Sequence, residues 1–259
     1  MNLSKYFSNL IAGWIVGNDF PTPPTGLSLS LFNDNPTSED IGNEVTDAGY
    51  NRQLLTLSQP VDTVDGYQSV NANEPVFGPA IAGFGVVTNW GIRNQSGQLL
   101  LYGQFDSNAT INQGSFFYVK TGGLVIRILG FSDNFSSSLL GWIIGSQFIA
   151  APANLELALH TGIVEANDSN LNEVVGGSYV RQGVIFDSIY NVSSGNTLEN
   201  TSNIIFPTAS ASWGVVSHWS LRRADTGDMI THGSFLAPKL IESGEGYLIE
   251  SATLRLIIS

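Results

Sequence analysis

The chain writes one pattern twice. Residues Phe206–Leu221 read FPTASASWGVVSHWSL and residues Phe77–Ile92 read FGPAIAGFGVVTNWGI, so Phe77 aligns with Phe206, Phe84 with Trp213 and Trp90 with Trp219 at a single offset of 129 positions. A period of this length divides the 259 residues into two domains of ordinary size, 1–130 and 131–259. A domain of about 130 residues buries roughly two-thirds of its unfolded surface and folds without a staple. None is available, because the chain has no cysteine, which excludes disulfides, thiolate metal sites and cysteine nucleophiles.

Each repeat opens with apolar residues at helical spacing. Phe7, Leu10, Ile11, Trp14 and Ile15 share one face and Gly17 stands where a left-handed cap is wanted; Phe135, Leu139, Trp142, Ile143 and Gly145 repeat the pattern. A helix of about three turns with one aromatic face belongs on a sheet. The internal copy also argues that Leu10–Val16 is part of a domain and not a signal peptide, and no stretch has the length of a membrane span.

Strict alternation follows in Leu27, Leu29 and Leu31 and again in Leu155, Leu157 and Leu159, the mark of half-buried strands. Segments 34–42 and 162–171 are polar and differ between the copies, which predicts exposed loops; 58–74 and 187–203 also diverge. Between these lie the shared pieces Asn43–Val45 with Asn172–Val174, and Tyr50–Gln53 with Tyr179–Gln182. In the opening pattern, period two places Phe84, Val86, Thr88, Trp90 and Ile92 on one face, and Trp213, Val215, Ser217, Trp219 and Leu221 on its equivalent. Thr88 and Ser217, set among large apolar residues, then require backbone partners. Glycines at 97 and 227 mark hairpin turns, and the join at 129–132 lacks flexible-linker composition, which predicts a fixed relation between the domains. The predicted fold is mainly β: two tandem β-sandwich domains, each preceded by one short amphipathic helix. Trp14, Trp142, Phe84, Trp213, Trp90, Trp219, Tyr50 and Tyr179 form the repeated core.

Titratable residues give no catalytic constellation. His160, His218 and His232 occur only in the second copy, where the first has Phe32, Asn89 and Tyr102. Strand parity sets His218 and His232 opposite the aromatic core residues, without a third ligand at metal-site spacing. Glu44 with Arg52, and Glu173 with Arg181, recur eight residues apart and read as structural ion pairs pinning a loop to a strand. No GxSxG elbow, calcium-loop spacing or phosphate-cradling glycine pattern is present. No cofactor is expected.

The order of motifs resembles a family of small tailed-bacteriophage virion proteins labelled tail-fibre proteins. The resemblance rests on Leu3–Leu10, Leu155–Thr161, Asn172–Val174, Gly177–Gln182, Trp213–Trp219 and Ala237–Lys239. The second copy carries it closely. The first is diverged, with Leu31, Phe32 and Asn33 for Leu159, His160 and Thr161, and Phe84 for Trp213. The resemblance implies a non-enzymatic virion component, at tail fibre, baseplate or capsid surface, with other virion proteins as partners.

Charge agrees. Ten Lys and Arg face 22 acids, a net −12 without a basic run, which excludes sequence-independent nucleic-acid binding; charged residues are only 12% of the chain, so the surface suits permanent contact. The expectation is a homo-oligomer, a trimer giving six similar units for a sixfold partner. The alternative is a receptor- or carbohydrate-binding module using 58–74 and 187–203.

Overall fold

The computed structural model describes residues 1–169, 172–192 and 195–259, with side chains described outside 188–195. Each repeat is a β-sandwich built on a helix. In the first, the front sheet has the order Asn2–Leu3, Leu99–Ile111, Gly85–Asn94, Leu27–Phe32, Gln53–Leu55. In the second, the same order runs Met229–Ile241, Gly214–Arg223, Leu155–His160, Gln182–Val184, and all neighbours in both sheets are antiparallel. The back layer is a set of short pairs. Gln68–Val70 with Val125–Arg127 and Val76–Phe77 with Phe117–Tyr118 form it in the first repeat. The hairpin Phe186–Val192 with Gly195–Asn200, the closing strand Arg255–Ile258, and Ile204–Ile205 with Leu248–Ile249 form it in the second.

Tyrosine rings tie the two layers together. Tyr50 stacks on Phe77 of the back layer at 5.8 Å and meets Phe84 edge-on at 5.8 Å. Tyr179 does the same with Phe206 at 6.1 Å and Trp213 at 5.5 Å. Their hydroxyls accept backbone hydrogen bonds from Leu31 and Leu159, both at 2.9 Å, so the buried phenol oxygens are paired.

Helix α1 spans Lys5–Ile15 and α2 spans Asp133–Ile143. Ser4 and Ser132 cap them, accepting from the amides of Phe7 and Phe135, and donate their hydroxyls to the carbonyls of Leu99 and Met229. One serine thus satisfies an orphan helix donor and fixes the helix start to the edge of its own front sheet. Gly17 and Gly145, at φ of 96° and 103°, end the helices in the left-handed conformation that their sequence positions predict.

The apolar faces of the helices turn toward the other repeat. Besides the edge of its own front sheet, α1 packs on the second repeat's back strands Phe186–Val192, Gly195–Asn200 and Arg255–Ile258, while α2 packs on Gln68–Val70 of the first. Between the helices lies a two-fold-like aromatic cluster: Phe7 stacks on Trp142 at 5.6 Å, Trp14 meets Phe135 at a tilt at 4.9 Å, and Phe20 stacks on Phe148 at 4.1 Å. The indoles complete it reciprocally. Trp14 Nε1 donates to the Ile149 carbonyl at 2.9 Å and Trp142 Nε1 to the Pro21 carbonyl at 3.0 Å. The buried apolar residues of both repeats accordingly form one continuous core.

Parity along the central strand departs from the simple alternation. Val87 and Val216 are buried, whereas Val86 and Val215 are 46% and 47% exposed. The cause is an excursion in the partner strand. Pairing passes from Val87–Ala109 to Asn89–Gln104, so Phe105–Asn108 bulge out opposite Thr88; Phe235–Pro238 do so opposite Ser217. Ser217 consequently bonds His218 Nδ1 at 2.8 Å rather than a backbone group, while Thr88 reaches the Phe32 carbonyl at 3.5 Å. The divergent segments 58–74 and 187–203 also differ from free loops. They supply back-layer strands, and Ser69, Asn71, Leu198 and Asn200 in them are buried. The side chain of Tyr190 lies outside the described residues, and Tyr67 is half-buried.

Beyond the excursion, tryptophan lies flat on glycine. Trp90 pairs with Gly103 and Trp219 with Gly233, where an added Cβ would sit 2.7 Å and 2.6 Å from the indole rings. Gly103→Ala and Gly233→Ala are each expected to cost about 1–3 kcal/mol by overpacking, read as a lower denaturation midpoint with an unchanged slope.

Candidate functional site

Within the front sheets, the residue pattern of strand, loop and returning strand converges on one buried guanidinium per repeat. Arg93 and Arg222 leave the central strands on the face away from the tryptophans and are buried there. Strand parity sets them opposite the aromatic core, and the neighbouring segments cover them. Segment 34–42 folds back so that Asp40, at φ 62°, grips Arg93 at 2.5 and 2.6 Å, and Asp168, at φ 59°, grips Arg222 at 3.0 and 2.5 Å. A non-glycine residue in that backbone region carries a steric cost, offset here by a charge-assisted pair. The two aspartates share an offset of 128 inside segments otherwise unlike, a signal the sequence contained. Segments 34–42 and the described part of 162–171 are mostly exposed loops, as expected, and each lends one aspartate to a buried guanidinium.

Glu44 joins this clamp to the second arginine. It receives Arg52 on both oxygens at 2.7 and 2.8 Å, the Tyr50 hydroxyl at 3.0 Å and Arg93 at 3.2 Å. Glu173 receives Arg181 at 2.7 and 2.8 Å, with the Tyr179 hydroxyl at 3.5 Å. Burial by itself raises both carboxyls, but the Arg52 or Arg181 hydrogen bonds and the adjoining guanidinium charges outweigh it and hold them below the usual glutamate range. Burial pushes Tyr50 and Tyr179 upward. Near neutral pH the carboxylate stays charged and the phenol stays protonated, so this arrangement fixes a loop, a strand and a tyrosine together and exchanges no proton.

A hydroxyl lies under each guanidinium, supplied from different strands. In the first repeat Ser30 accepts from Arg93 Nε at 3.3 Å, opposite Gly91; in the second Ser220 accepts from Arg222 Nε at 3.0 Å, opposite Ala158. A Cβ at Gly91 would stand 2.8 Å from Ser30 Oγ, so the two placements are mutually exclusive.

The three histidines lie on neighbouring strands of the second repeat's front sheet. His160 is buried with Nε2 2.8 Å from Ser220 Oγ, His218 is its cross-strand partner, and His232 lines a cleft between the repeats with Asp62, Asp65, Asp133 and Glu165. Among the described residues no group of three or more His, Asp or Glu is placed to hold a metal ion. The described helices include none long and apolar enough to cross a membrane.

Repeated sandwiches, cross-packed helices and paired buried charges define a duplicated β protein whose copies differ both in exposed segments and at buried positions such as Phe32 and His160. The family model described as podophage GP4 fiber I protein gp80 matches the chain twice, over residues 2–127 and 130–257. The chain belongs to that family of phage fibre proteins. No curated protein matches it.

Proposed function

We propose that this chain is a non-enzymatic structural component of a phage tail that docks on other virion proteins and associates with copies of itself. The observation that carries the reading is the reciprocal seam, in which each helix buries its aromatic face against the other repeat. It holds two similar but unequal exteriors in one fixed relation, which is what a part serving a symmetric assembly requires. The largest such inequality is the excursion. The first repeat presents Asp106, Ser107 and Asn108 there, and the second presents Leu236, Ala237 and Pro238, with Leu236 107% exposed. Phe105 and Phe235 anchor the excursions on Phe117 and Tyr247 at 5.4 and 5.6 Å.

A trimer presents six such units, and the virion is where the chain resides. Mass measurement in solution should return a multiple of 27.8 kDa. Labelled protein should bind particles that lack it. A strict monomer that binds no particle contradicts the reading. Binding of a host surface receptor is the second reading, favoured by the bare Leu236 excursion; a cell-adsorption assay with Leu236→Asp separates it, since a scaffold leaves adsorption by isolated protein at background.

A further inference from the structure

The aromatic ring beside the buried arginine differs between the repeats. In the first, the Arg93 guanidinium stands 5.8 Å from the centre of the Phe32 ring. In the second, the equivalent strand position is His160, cross-strand from His218 as Phe32 is from Asn89. We propose that this exchange makes the second repeat's arginine clamp an acid-sensitive latch that opens in acid far more readily than the first repeat's. Protonation of the carboxylates Glu44 and Glu173 weakens both alike.

Hydrogen bonding gives the mechanism. Ser220 Oγ receives Arg222 Nε–H and lies 2.8 Å from His160 Nε2, so the imidazole and the guanidinium meet on one buried hydroxyl. Protonating the ring would set a second positive charge against that hydroxyl. Two cations would then share one serine within a buried site. The groups facing His160 are Arg222 and His218 on the adjoining strand, Glu173 bridged to it, Asp168 on the covering segment and Arg181. Glu173 and Asp168 attract the extra charge, but both are already committed to Arg181 and Arg222. Burial, aided by Arg222 and Arg181 and opposed by Glu173 and Asp168, pushes the imidazole down to about 4. Phe32 has nothing to titrate.

The sign follows from proton uptake. An opened site protonates near 6.5 and the closed site near 4, so between those values opening binds protons and acid favours it. The latch is fully stable above pH 6.5 and loses that stability as pH falls toward 4. One linked proton raises the opening constant by up to about tenfold per pH unit.

Amide hydrogen exchange on the intact chain tests this, corrected for intrinsic pH dependence. The Thr161 amide bonds Asn172 and the Val174 amide bonds Leu159; Asn33 and Val45 make the equivalent bonds to Asn43 and Leu31. Protection at Thr161 and Val174 should fall tens-fold between pH 6.5 and 4, with Asn33 and Val45 losing only the smaller share that protonation of Glu44 and Glu173 gives both repeats. His160→Phe should reduce the second repeat's acid response to that of the first, and the wild-type His160 ring should titrate near 4 by NMR. Equal loss in both wild-type repeats, an acid response unreduced in His160→Phe, or a ring titrating near 6.5 would overturn the proposal.

Discussion

Replacing Trp14 by alanine is expected to cost about 3–5 kcal/mol and to weaken both repeats at once. The indole belongs to the first repeat's helix, yet its contacts are largely with the second: Phe135 at 4.9 Å, Phe148 at 5.6 Å, the Ile149 carbonyl at 2.9 Å, and the Arg223 guanidinium over the ring at 5.6 Å. Truncation leaves a cavity in the seam and an unpaired carbonyl beside it. Trp142→Ala should mirror the effect through Phe7, Phe20 and the Pro21 carbonyl. Chemical denaturation followed by circular dichroism and tryptophan fluorescence reads it as one coincident transition moved to lower denaturant. Two separated transitions in the wild-type chain would show the repeats to be independent.

Arg93→Ala is expected to produce a loss of similar size, about 3–5 kcal/mol, for a different reason. The side chain is buried and bonded at once to Asp40, Glu44, Ser30 and the Gly97 carbonyl, so its removal strands a half-covered carboxylate pair and releases segment 34–42. Arg52→Ala removes the other guanidinium from the same Glu44. Its side chain is 39% exposed, water replaces much of the bond, and the expected loss is under about 1 kcal/mol. Denaturation midpoints of the two variants provide the comparison. Equal losses would mean that burial is not what makes the clamp matter.

Much of this fold is legible in the sequence because its strongest signals are side chains repeated at offsets of 128 or 129. The Trp90 and Trp219 strands, the Tyr50 and Tyr179 signatures, the Glu44 and Glu173 positions and both helices with their terminal glycines follow from that register. Four features were not legible. The exposure of Val86 and Val215 depends on Phe105–Asn108 and Phe235–Pro238 looping out of the partner strand, which no periodicity within the central strand reveals. Periodicity gives α1 an apolar face but does not say which sheet covers it, and each helix serves the opposite repeat's back layer. The clamps rest on single aspartates, Asp40 and Asp168, inside segments that otherwise share little, so divergence hid a contact that both copies keep. The movement of one serine from Ser30 to Ser220 across the strand pair is visible only once Gly91 and Ala158 are known to face them.

Electron cryo-microscopy of the intact particle, with this chain labelled, decides where the two-repeat unit serves. Its density is expected on the tail, in symmetric copies, with the Phe235–Pro238 excursion against a neighbouring virion protein or a second copy. Label on the capsid shell, or purified particles without the chain, would contradict that placement.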